Sequence, residues 1–150
     1  MKYKGGIKWE KVRLSSLFDP TKTVEIEAII DTGATMVVLP KDIVDTLGLK
    51  KVREVKVRYA NNEVETRPIY GVVTIELKGR SANLDVLVEE KGSQALIGQV
   101  LLELLDLIDE PKTRKLIPNP ASPEMPMIAH PSPYGLRIPA RRYTPCLRGR

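Results

Sequence analysis

One cysteine (Cys146), one histidine (His130), one tryptophan and one phenylalanine in 150 residues exclude several classes of protein at once. A lone cysteine can build neither an internal disulfide framework nor a cysteine-rich zinc site, and it fits a reducing, cytoplasmic setting. A lone histidine leaves no Ser–His–Asp or Cys–His system unless the segment carrying His130 docks against the nucleophile. A zinc hydrolase would lack ligands, so no metal is expected. No apolar run is long enough to cross a bilayer, and the start of the chain lacks the pattern of a signal peptide. Lys4-Gly5-Gly6 is too short to cradle a phosphate and has no helix after it, so no nucleotide cofactor is expected.

Charge is unevenly placed. The net +5 divides into +4 in residues 118–150, from five arginines against Glu124, and about +1 in residues 1–117. The main body is near neutral and offers no basic face interleaved with aromatics, so nucleic acid is not an expected partner. Eight of the twelve prolines also fall in 118–150. That density removes ladder donors and restricts each preceding residue, so the segment reads as an extended, mostly disordered Pro/Arg-rich tail. The expected division is a domain over 1–117 and a tail over 118–150, with no internal repeat.

Residues 1–117 read as mostly β. Strands are expected over 7–14 (with Trp9 in the core or at an interface), 23–30, 52–59, 63–70, 72–77, 82–88 and 94–97. Turns are expected at 18–22, Asn61-Asn62 and Lys78-Gly79. Pro40 is placed to start a short helix bearing Ile43, Val44 and Leu47 and stopped by Gly48. Gln99 to Leu105 reads as a second helix, followed by short strands about the Glu110-Pro111-Lys112 turn. Pro68 marks an edge or bulge. Close-set strands with one or two short helices indicate a small closed β-barrel.

The segment Ala28-Ile29-Ile30-Asp31-Thr32-Gly33-Ala34-Thr35, followed by Met36-Val37-Val38-Leu39, carries the chemistry. A buried strand delivers a carboxylate into a tight loop, and a second apolar run leaves it. A carboxylate emerging from a hydrophobic wall is costly unless something satisfies or uses it. Alone, Asp31 could simply cap its own backbone in an Asx-turn. Downstream, Ala95-Leu96-Ile97-Gly98 runs into the apolar helix 99–105. These two ordered elements resemble the active-site loop and the hydrophobic-hydrophobic-Gly element of the retropepsin-like, single-domain aspartic proteases of clan AA. The resemblance spans about residues 5–117.

The resemblance implies an aspartic endopeptidase acting on extended peptide or unfolded protein substrates, with Asp31 catalytic. One carboxylate cuts amides poorly. Two held about three ångströms apart share one proton, so that one activates a water while the other polarises the scissile carbonyl. With one Asp-Thr-Gly per chain, the second carboxylate is Asp31 of another copy, and a two-fold homodimer is required. Gly33 allows the loops to approach, Thr32 interlocks across the dimer axis and Ala34 leaves room for substrate. A flap is expected over 58–66, with Tyr59, Ala60, Asn61, Asn62 and Glu63 near its tip. That tip is Asn-Asn where the family carries glycine. Ile97 and Gly98 are structural residues near the site. The acids Glu89-Glu90, Asp106, Asp109 and Glu110 read as solvated loops. Two alternatives remain open on these residues. One is a dimeric peptide-binding or assembly module of the same fold with little proteolytic activity; the other is an unrelated, monomeric β module.

Overall fold

Every second residue of Thr23–Ile30 is apolar, and in the computed structural model those residues (Val24, Ile26, Ala28, Ile30) turn inward while Glu25 and Glu27 face solvent. The structure describes residues 7–132 and 134. Residues 1–6, 133 and 135–150, including Cys146, lie outside the described residues.

The chain runs β1 (Lys8–Ser16), β2 (Asp19–Ile30), β3 (Val38–Pro40), α1 (Lys41–Leu47), β4 (Lys50–Arg58), β5 (Val64–Leu77), β6 (Arg80–Glu89), β7 (Leu96–Ile97), α2 (Gln99–Leu105), β8 (Leu107–Asp109) and β9 (Leu116–Pro118). The main sheet has the order β1-β2-β7-β3-β6-β5-β4, and β1 also pairs with β5. Six strands therefore form a closed, barrel-like ring, and β4 extends from it as a free-edged strand among the described residues. A small mostly β barrel-like ring with two short helices is the fold the sequence pattern calls for.

The ring encloses Val12, Leu14, Leu39, Val73, Ile75, Val86 and Ile97, with Val44 and Leu47 of α1 and Leu101 and Leu105 of α2 packed against it. Burying each such side chain contributes about 1.5–3 kcal/mol. Among the described residues no buried side-chain nitrogen or oxygen lacks a hydrogen-bond partner. Trp9 is half-buried on β1.

Several boundaries differ from the sequence reading. The first turn is the two-residue tip Leu17-Phe18, and Asp19 to Lys22 belong to β2. A register shift at Ser15/Ser16 leaves Pro20 opposite an irregularity, where no ladder donor is needed. Pro40 ends β3 in extended conformation (φ −71, ψ 152) and caps α1 without entering it. Gly48 closes α1 at φ 68. The two strands expected over 63–70 and 72–77 are one strand, β5, which crosses Gly71 with a register shift between Tyr70 and Val73. Pairing of β5 with β6 begins at Ile69, just past Pro68, which has no N–H to offer.

The start of the proline-rich segment is not loose. Pro118 pairs with Leu107, so residue 117 falls inside β9 and not at the end of the packed chain. Asn119 and Ser122 side chains both donate to the Asp106 carboxylate, as does the Met127 N–H. Buried Arg80 donates to the carbonyls of Leu105, Asp106 and Ser122. Proline density precludes repetitive structure, but it leaves carbonyls and short polar side chains free to dock. Asp106, read above as a solvated acid, is thus the anchor of this segment. Asp109 pairs with Lys8 and is not merely solvated.

Candidate active site

Strand β2 ends at Ile30, parallel to β7, and the Asp31 N–H donates to the Ile97 carbonyl at 2.9 Å. The chain then leaves the sheet as a loop. Gly33 N–H donates to Asp31 Oδ1 at 2.9 Å, and Ala34 N–H donates to the Asp31 carbonyl at 3.1 Å. A carboxylate held by a backbone donor two residues on has its orientation set by the loop itself. Asp31 nevertheless remains exposed, at one side of an open cleft of about 940 Å³.

The loop is fastened from below. The first N–H groups of α2 have no partners within the helix. Those of Gln99 and Val100 donate to the carbonyls of Ala34 (2.7 Å) and Thr35 (3.0 Å). Gly98 lies directly under the loop: a Cβ there would stand 2.4 Å from the Met36 carbonyl oxygen and 2.8 Å from that of Ala34. No side chain fits, so the glycine lets helix and loop touch. Gly33 is also crowded, since a Cβ would meet Asp31 Oδ1 at 3.2 Å.

The cleft joins the Asp31 loop to the β4–β5 hairpin. Gly33, Ala34, Met36, Val38, Leu87 and Leu96 line one wall, and Val55, Val57, Tyr59 and Ala60 line the other. Of the residues singled out in the sequence, Asp31, Gly33, Ala34, Tyr59 and Ala60 come together here. Ile97 is buried beneath them and Gly98 backs the loop. Thr32 is exposed and does not line the cleft; Asn61, Asn62 and Glu63 sit at the hairpin tip, away from its wall. Asn62 takes φ 70, the left-handed conformation that asparagine tolerates, and Asn61 Oδ1 accepts from the Glu63 N–H at 3.0 Å.

Two further cleft residues escaped the sequence reading. Tyr59 donates its hydroxyl to Glu89 Oε2 at 2.6 Å, and Arg67 Nε reaches Tyr59 Oη at 3.0 Å and Glu89 Oε1 at 3.3 Å. Glu89 is therefore paired at the end of β6 and is not a solvated loop acid. Burial raises the Tyr59 phenol above its ordinary value, and the hydrogen bond to the Glu89 carboxylate adds to it. The only sequence signal for this cluster was charge on the inward-facing positions of an alternating hairpin. Among the described residues no group of His, Cys, Asp and Glu side chains could hold a metal ion.

The family model described as "gag-polyprotein putative aspartyl protease" matches residues 22–103, more than half of the chain and all of the loop, hairpin and Gly98 elements. The chain belongs to this aspartyl protease family. Among solved structures, the EIAV protease complexed with the inhibitor HBY-793 is similar at 22% identity and a TM-score of 0.50, covering 64% of this chain and 85% of that one. The simian foamy virus (mac) protease, a solution structure, is 15% identical with a TM-score of 0.46, covering 63% of this chain and 91% of that one. At such identities the EIAV likeness speaks for the fold alone. No curated protein matches the chain. In this family member, the cleft that holds Asp31 is the candidate active site.

Proposed function

We propose that this aspartyl protease family member is an endopeptidase that cuts extended peptide segments, using a water activated between two Asp31 carboxylates supplied by two copies of the chain. The observation that carries the reading is the Asp31 loop. Its carboxylate is oriented by Gly33 N–H, braced from behind by α2 and Gly98, and presented to an open cleft with apolar walls. A single such carboxylate lacks the second acid that amide hydrolysis of this type needs, and an isologous dimer supplies it. The two carboxylates then titrate as one unit, with no fixed acid and base. An extended segment lying along the hairpin would complete the cleft in strand-like fashion. Thr32, exposed on the loop, is assigned to the dimer contact, and the 59–63 hairpin end to substrate closure. A reducing, cytoplasmic setting completes the proposal and rests on the single cysteine.

The test is cleavage of an unfolded protein across pH 3 to 7, wild type beside Asp31→Asn, with fragments read by mass spectrometry and size by sedimentation. Loss of at least about 100-fold in rate with an intact dimer is the expected outcome. Cleavage that survives in Asp31→Asn would overturn the mechanism. A second reading, a peptide-binding or assembly module with little proteolysis, draws on one observation: the hairpin is tied down by Tyr59, Arg67 and Glu89 and ends in Asn61-Asn62. A folded wild-type dimer that binds peptides and cuts none would favour it.

A further inference from the structure

The free edge of β4 borders the cleft, and its charges are unevenly satisfied. In the antiparallel register Val55 faces Arg67 and Val57 faces Glu65, so these share one side of the hairpin with Tyr59. Lys56 faces Thr66 and Arg58 faces Val64 on the other side. The acids and cations of the first side neutralise one another, Arg67 pairing with both Glu65 and Glu89. Of the other cations of β4, Lys51 pairs with Glu54 and Arg53 with Asp85, while Lys50, unpaired among the described residues, stands at the far end of the strand and does not line the cleft. Lys56 and Arg58 are different. Both are exposed, both border the cleft, and neither has an ion-pair or hydrogen-bond partner among the described residues.

A peptide that pairs along an open strand edge must alternate its side chains in step with the strand. Residues on the Val55 and Val57 side enter the apolar cleft, and residues on the opposite side lie beside Lys56 and Arg58. We propose that the cleft selects extended segments in which acidic residues two positions apart bracket an apolar one, Lys56 and Arg58 reading the acids. This inference rests on the peptide-cleft reading above but not on catalysis. Lys56 and Arg58 are specificity-determining residues, on the hairpin side of the cleft and not on the Asp31 loop. Their contribution is that of two solvent-exposed ion pairs, a preference of roughly 5-fold that shrinks as salt rises.

The experiment uses fluorescein-labelled synthetic peptides with apolar residues at alternate positions and Glu, Gln or Lys between them. Binding is read by anisotropy on the full-length Asp31→Asn chain, and kcat/KM on wild type, each in two salt concentrations. Both are repeated with Lys56→Glu/Arg58→Glu. Tighter binding of the Glu peptide, inverted toward the Lys peptide by the double substitution, is the expected result. Equal binding of all three peptides, or a Glu preference untouched by the double substitution, overturns the proposal. Displacement by a short single-stranded oligonucleotide but not by unlabelled Glu peptide also overturns it, assigning the edge to phosphate. If the Glu preference in binding is present and no peptide is cut, the endopeptidase reading fails while the proposal stands.

Discussion

Gly98 carries more of the site's geometry than its lack of a side chain suggests. A methyl group there would press into the carbonyls of Met36 and Ala34, and backbone carbonyls cannot swing aside as a flexible side chain can. Gly98→Ala is expected to cost at least about 2 kcal/mol in urea unfolding, with cleavage lost even where the chain still folds. Wild-type stability in that variant would show the loop free to move off α2. Asp31, Gly33 and Gly98 were legible in the sequence because the loop is local chemistry: an acid, a turn glycine, a helix start. Glu89 and Arg67 were not, because their pairing joins the end of β6 to the start of β5, a contact that no short-range pattern encodes. Asp106 escaped for the same reason, its partners lying on a segment whose prolines announce only irregularity. Hydrogen bonds from Ser122, then Asn119 and the Met127 N–H, hold the Asp106 carboxyl below its ordinary 3.8. A carboxyl depressed by folding stabilises the native state above its unfolded value and withdraws that support as pH falls through its folded one. Attachment of 119–127 is therefore expected to weaken only below about pH 3.8. Protease nicking within this segment as a function of pH reports it, and Asp106→Asn should show pH-independent nicking.

The β4–β5 hairpin is the element whose position decides how the cleft closes, and it is fastened just below its tip. Tyr59 and Arg67 flank the turn and converge on Glu89, so the ring of strands sets the angle at which the hairpin stands over Asp31. Tyr59→Phe removes the hydroxyl that joins them and is expected to loosen the hairpin by about 1–2 kcal/mol. Amide exchange over residues 58–66 should quicken, and KM should rise more than kcat falls. Unchanged exchange would show that strand pairing alone holds the hairpin. Element types followed from alternation and turn chemistry, since Asn61-Asn62 and Lys78-Gly79 occupy the tips expected of them. Boundaries slipped at Pro20, read as part of a turn but lying within β2, and at Gly71, read as a break between two strands but crossed by β5 with a register shift.

At the scale of the whole molecule, hydrogen bonds attach the chain to Asp106 past β9 as far as the Met127 N–H, and the remaining Pro/Arg-rich residues are proposed as a separate tail. A chain ending at 117 removes the Ser122 carbonyl and leaves buried Arg80 short of an acceptor, at a cost of about 1–3 kcal/mol. A chain ending at 130 should match the full-length protein in thermal unfolding, and equal stability of both truncations would refute the docking. The closure of the ring has a consequence in time. Arg13 to Ser16 of β1 meet Val73 to Glu76 of β5, about sixty residues later in the chain, so closing the ring means closing a long loop. Such non-local pairings form slowly. The loop bearing Asp31 waits longer still, for Gly98 and α2 to be synthesised behind it. A nascent chain on the ribosome therefore carries Asp31 long before it has the glycine and helix that brace its loop.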